Sequence, residues 1–75
     1  MAANDEYLKS LGNRIRQLRL AKELTQTELA ARIDKDYQSL QRVERGAVNL
    51  SVQYLRQVAE GLDMKLDELL DFEVE

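Results

Sequence analysis

The chain has 75 residues, 44% of them hydrophobic and 33% charged, a net charge of −3, and no cysteine, histidine or proline. A chain this short makes one domain with a thin core, read here as residues 1–75 with the core from about 7 to 70 and an acidic tail at 71–75. Without histidine or cysteine a metal site would need carboxylates alone, and none cluster at the spacing of a binding loop.

No cofactor is expected, and neither is an enzyme: there is no glycine-rich phosphate loop and no nucleophile beside a base. The N-terminus has no apolar signal region and no run reaches membrane-spanning length, so a cytoplasmic protein is expected.

The first four residues are expected to be loose, with Asn4 or Asp5 capping a first helix that runs to about Lys22. Tyr7, Leu8, Leu11, Ile15 and Leu18 recur at intervals of three and four, which is an amphipathic stripe. Gly12 interrupts it at a cost of roughly 1 kcal/mol relative to alanine. Either a close backbone approach or a frayed first turn accounts for that glycine. Arg14 and Arg16 lie off the stripe, as phosphate contacts or as charges that keep the surface solvated.

Thr25 to Gly46 reads as two short helices joined by a tight turn. Thr25 and Glu28 make a capping box, with Leu24 and Leu29 at hydrophobic-staple spacing. Leu29, Ala30 and Ile33 form one apolar face. Asp34-Lys35-Asp36 breaks the pattern, and Asp36 caps the next helix. Leu40 and Val43 of that helix face inward, and Gly46 closes it in a left-handed conformation. At about 100° per residue, Gln38, Arg42 and Arg45 lie opposite Leu40 and Val43, Gln41 lies at the flank, and Tyr37 sits at the exposed start. This face has amides and guanidinium groups and no carboxylate. Those are the groups that read base edges and grip phosphates. A short helix with such a face, braced by a capped helix before it, is a helix-turn-helix pattern.

Ser51 caps a fourth helix, with Leu50 and Leu55 as a second staple and Val52, Leu55, Val58, Ala59 and Leu62 on its apolar side. Gly61 and Asp63 end it, and Tyr54 is taken as core or rim. Leu66, Leu69 and Leu70 mark a short last helix. Lys65 is a poor cap, so that helix depends on tertiary packing. Leu70, Phe72 and Val74 are candidates for a dimer contact, against the alternative of a tail folded back on its own domain.

Charge is unevenly spread. Arg14 to Arg45 holds eight basic and five acidic residues, and the rest of the chain holds three basic and nine acidic. The middle is thus positive inside a negative whole, and local potential decides what a contact face attracts.

The run from Leu11 to Leu70 resembles the lambda repressor and Cro type of helix-turn-helix domain found in small bacterial and phage regulators. The resemblance rests on R-I-R-Q-L-R at Arg14 to Arg19, T-Q-T-E-L-A at Thr25 to Ala30, V-E-R-G at Val43 to Gly46, and L-x-x-V-A-x-G-L from Leu55 to Leu62. It implies an all-α bundle of five helices whose third helix enters the DNA major groove, usually in a homodimer. It implies base contacts from Tyr37, Gln38 and Arg42, to which the face itself adds Gln41. It implies phosphate contacts near Gln26, Ser39 and Arg45, with Arg14 and Lys35 as further phosphate candidates. Arg19 and Glu44 match a structural ion pair.

Three features depart from the family. Asp34-Lys35 replaces the usual small-apolar pair of the turn, which predicts looser packing there. Ala47, Val48 and Leu50 stand where basic residues and a proline are common. Tyr37 is an unusual first residue for the third helix. The function implied is sequence-specific binding of double-stranded DNA, most simply as a repressor on a near-palindromic operator. The alternative is an antitoxin-like module that binds a toxin-like partner protein.

Overall fold

The computed structural model describes residues 2–74, the side chains of residues 2–5 excepted. Five helices follow one another: α1 (Ala2–Ala21), α2 (Gln26–Arg32), α3 (Tyr37–Glu44), α4 (Val52–Gly61) and α5 (Leu66–Leu69). No strand occurs among the described residues. The first helix starts earlier than expected. It is already formed at Ala2, so Asn4 and Asp5 lie inside it instead of capping it, and Met1 lies outside the described residues.

The apolar stripes meet in one cluster. Leu11 and Ile15 of α1 pack with Leu29 and Ala30 of α2, Leu40 and Val43 of α3, Val58 and Ala59 of α4, and Leu69 of α5. Full burial of each large aliphatic side chain contributes about 1.5–3 kcal/mol before entropy is set against it. Gly12 is a place of close approach. A Cβ on it would stand 2.5 Å from the Val43 carbonyl oxygen and 2.6 Å from that of Glu44. The backbones of α1 and α3 therefore cross in contact, and the glycine is the condition for it.

Four segments end in the same way. Glu23, Asp34, Gly46 and Asp63 have φ of 59°, 59°, 74° and 57°. In each case the next N–H reaches back to the helix: Leu24 to Arg19 O, Lys35 to Ala30 O, Ala47 to Arg42 O and Met64 to Ala59 O, at 2.9–3.1 Å. These are Schellman closures, which satisfy carbonyls that the helix leaves free. As expected, α4 ends at Gly61, its last residue, and Asp63 takes the left-handed position beyond it. The Asp34-Lys35 turn needs no small apolar pair, because this closure and the Asp36 cap hold its backbone.

Val48 and Leu50 lie half-buried against the core, which accounts for apolar residues after Gly46. At the C-terminal end the tail folds back. The rings of Phe72 and Tyr7 stand 5.4 Å apart at 51°. Leu70 also packs on the core, and Val74 is exposed. Lys65 contributes no side-chain cap to α5. Its N–H donates to Glu68 Oε1 at 2.9 Å instead.

Candidate nucleic-acid interface

The site is α3 and what holds it. Before it, α2 is fixed by its capping box: Glu28 N–H donates to Thr25 Oγ1 at 3.0 Å, and Thr25 N–H donates to Glu28 Oε1 at 2.8 Å. The backbone N–H of Thr25 is the main reason that the Glu28 carboxyl titrates below its ordinary value, followed by the Thr25 side chain. After the turn, Ser39 N–H donates to Asp36 Oδ1 at 2.7 Å and starts α3.

The end of α3 is anchored to α1 from inside. Arg19 Nε lies 2.7 Å from Glu44 Oε2 and Arg19 Nη2 lies 3.0 Å from Glu44 Oε1, in the forked geometry that suits a guanidinium and a carboxylate. Both side chains are nearly sealed from water, at 8% and 3% exposed. Arg19 Nη1 donates to the Leu24 carbonyl at 2.7 Å, and Gln26 Nε2 donates to Glu44 Oε1 at 3.0 Å. One carboxylate thus collects α1, the first turn of α2 and the last turn of α3.

Outside, α3 shows Tyr37, Gln38, Gln41, Arg42 and Arg45, all exposed. Among the described residues none of these five side chains has a hydrogen-bond or ion-pair partner. Two guanidinium groups, two amides and a phenol stand free on one rigid helix. Guanidinium groups can fork onto guanine O6 and N7, and amides onto adenine N6 and N7.

The helix-turn-helix family model matches residues 15–69. The chain belongs to the helix-turn-helix family. An uncharacterised HTH-type transcriptional regulator of Rickettsia conorii is 42% identical over 57 residues, which is 76% of this chain and 46% of that protein. A transcriptional regulator from the ATPase CF(0) region of Rhodospirillum rubrum is 39% identical over 57 residues, 76% of this chain and 53% of that one. The chain therefore spans about half the length of the curated relatives it matches. Among solved structures, the restriction-modification controller protein C.AhdI of Aeromonas hydrophila superposes with a TM-score of 0.81 at 39% identity, over 83% of this chain and 94% of its own. The controller protein C.Esp1396I, solved as a tetramer on its natural 35 base-pair operator, superposes with a TM-score of 0.78 at 28% identity, over 85% of this chain and 88% of its own.

The helix-turn-helix places the remaining candidates differently from one another. Arg45 is exposed at the end of α3. Gln26 points its amide inward to Glu44. Arg14 has another task than the phosphate contact expected of it: its Nη2 and Nε donate to the carbonyls of Glu68 and Leu69, at 2.8 and 3.2 Å. It satisfies the open C-terminal end of α5, which is too short to satisfy itself. Ser39 Oγ lies 3.0 Å from Tyr54 Oη, and Lys35 Nζ stands 5.5 Å above the centre of the Tyr54 ring. Helical spacing alone gives Tyr54 as core or rim. Its partners are distant in the chain, and no spacing rule brings them together.

Proposed function

We propose that this chain is a regulator that reads duplex DNA by laying α3 in the major groove, with Arg42 and Gln38 as the main base readers and Tyr37 and Gln41 beside them. The observation that supports this most is the exposed, unpartnered face of α3. Side chains that fold against nothing in their own chain keep their donors for a ligand, and these donors match base edges. Arg45, Ser39 and Lys35 serve the phosphate backbone in this reading, and Gln26 does so through the α2 turn that it anchors. Arg19 and Glu44 hold α3 at its angle.

We further propose a two-fold dimer on a near-palindromic operator, with half-sites about 34–36 Å apart, one helical turn. Repression by occlusion at a promoter is the simplest outcome, and access to DNA implies the cytoplasm. Val74, with the half-buried edges of Leu70 and Phe72, supplies apolar surface for the dimer contact. Relatives that are transcriptional regulators and a neighbour solved on its operator weigh against the antitoxin-like alternative.

The test is binding to labelled DNA from upstream of the protein's own gene, against scrambled DNA, over a salt series. The wild type should bind the native sequence more tightly, with affinity falling as salt rises. The double variant Arg42→Ala, Gln38→Ala should lose the preference, by about 1–3 kcal/mol for each good base contact removed. A folded protein that binds neither DNA at low salt would overturn the reading.

A further inference from the structure

The cluster of Lys35, Ser39 and Tyr54 joins three segments beside the reading face. Lys35 lies in the turn, Ser39 in the first turn of α3, and Tyr54 in the first turn of α4. None of the three is fully buried, so the cluster opens to solvent. Two hydroxyl groups share one hydrogen bond, at 3.0 Å. A single bond uses one of their two protons, and among the described residues neither hydroxyl has another partner. One proton is therefore left to donate. The Lys35 ammonium stands over the face of the same ring whose edge carries the phenol oxygen, held there by cation–π attraction.

A strong anionic acceptor draws the more acidic proton, and a phenol is more acidic than an alkyl alcohol. We propose that Tyr54 is a phosphate-binding residue: Ser39 donates to Tyr54 Oη, and Tyr54 donates outward to a DNA backbone oxygen that the Lys35 ammonium also neutralises. Donation in series polarises the second hydroxyl and strengthens its bond. The Asp36 carboxylate is close by, but it is engaged by Ser39 N–H. This assignment rests on the DNA-reading proposal and adds a contact from α4 to it. It also gives Ser39 a supporting role through Tyr54, in place of its own phosphate.

Tyr54→Phe keeps the ring under Lys35 and removes one hydroxyl. A hydrogen bond to a charged group is worth about 1.5–3 kcal/mol, so binding should weaken about tenfold or more. Because a phosphate contact carries no sequence information, native and scrambled DNA should lose equally. Lys35→Ala should flatten the slope of log affinity against log salt by about 0.9. Ser39→Ala leaves the Tyr54 proton free and should cost less than about threefold.

Equal losses in Ser39→Ala and Tyr54→Phe would mean that the bond only braces α3, and would overturn the proposal. So would a loss confined to native DNA. A second measurement uses the wild-type protein and duplexes with single uncharged methylphosphonate linkages. At one linkage in each bound site the loss should be smaller in Tyr54→Phe and in Lys35→Ala than in the wild type, since each variant has already given up one of the two contacts to that phosphate. If both variants lose as much as the wild type at every linkage, the proposal falls. If the wild type binds DNA and the α3 double variant loses its preference while Tyr54→Phe binds normally, this inference fails alone. If the wild type binds no DNA, both fail.

Discussion

Glu44→Ala should be the most damaging single truncation in the polar interior. The carboxylate accepts from Arg19 Nε at 2.7 Å, from Arg19 Nη2 at 3.0 Å and from Gln26 Nε2 at 3.0 Å. Its removal leaves a guanidinium that is 8% exposed with the Leu24 carbonyl as its remaining acceptor. Breaking a buried pair by deleting one member costs about 3–5 kcal/mol, because the other charge stays in the protein without compensation. A domain of 75 residues, at about 0.05–0.15 kcal/mol per residue, has about 4–11 kcal/mol in all. The variant should therefore lose between about a quarter and all of that stability. In urea, with a slope near the low end of about 1–3 kcal/mol/M, the midpoint followed by far-UV circular dichroism should fall by about 3–5 M. The control is the double variant Arg19→Met, Glu44→Leu. It removes both charges, fills a similar volume, and should match the wild type or exceed it in stability. A loss under about 1 kcal/mol in Glu44→Ala, the scale of an exposed pair, would refute the argument that this pair is sealed and uncompensated when broken.

Three further outcomes follow from the backbone. Gly12→Ala should lower stability by at least about 1 kcal/mol, since overpacking against the carbonyls of Val43 and Glu44 outweighs alanine's better helix propensity; a rise in the urea midpoint would show that α1 and α3 do not cross in contact. Asp34→Gly should raise stability by about 0.5–1 kcal/mol by relieving a left-handed residue with a Cβ, read as a thermal midpoint several degrees higher, at about 4–8 °C per kcal/mol; a lower midpoint would mean that the Asp34 side chain itself supports the turn. Glu28→Gln tests the capping box by pH. The folded carboxyl titrates below its ordinary value, so its contribution is complete above the unfolded value of about 4.3 and is lost as pH falls through the folded value. Wild type should thus exceed the variant at neutral pH, and the gap should close in acid; a gap independent of pH would remove the ionised carboxylate from the account.

The parts of this molecule that sequence reading captures are those set by rules of short range. The Thr25–Glu28 box, the Asp36 and Ser51 caps and the left-handed Gly46 each involve residues within a turn of one another. Local rules also mislead where a residue works against its type. Glu23, Asp34 and Asp63 take left-handed positions that favour glycine, because the Schellman hydrogen bonds hold the backbone there regardless of the side chain. Gly61 is the last residue of α4 and stays helical, and the left-handed position falls two residues later, on Asp63.

The polar partners are a different matter. Arg14 meets α5 from 54 and 55 residues away, and Ser39 meets Tyr54 across two helices and a loop. These contacts depend on how helices cross, which a spacing of three or four does not encode. The exposed face of α3 is legible for the opposite reason. Its residues are defined by having no partner in the chain, and helical periodicity alone identifies which positions point away from the core. A residue that binds a partner directly is thus easier to find in a sequence than one that acts through a neighbour. In the proposed reading Ser39 is of the second kind: it acts through Tyr54, which it reaches only once α3 and α4 are packed.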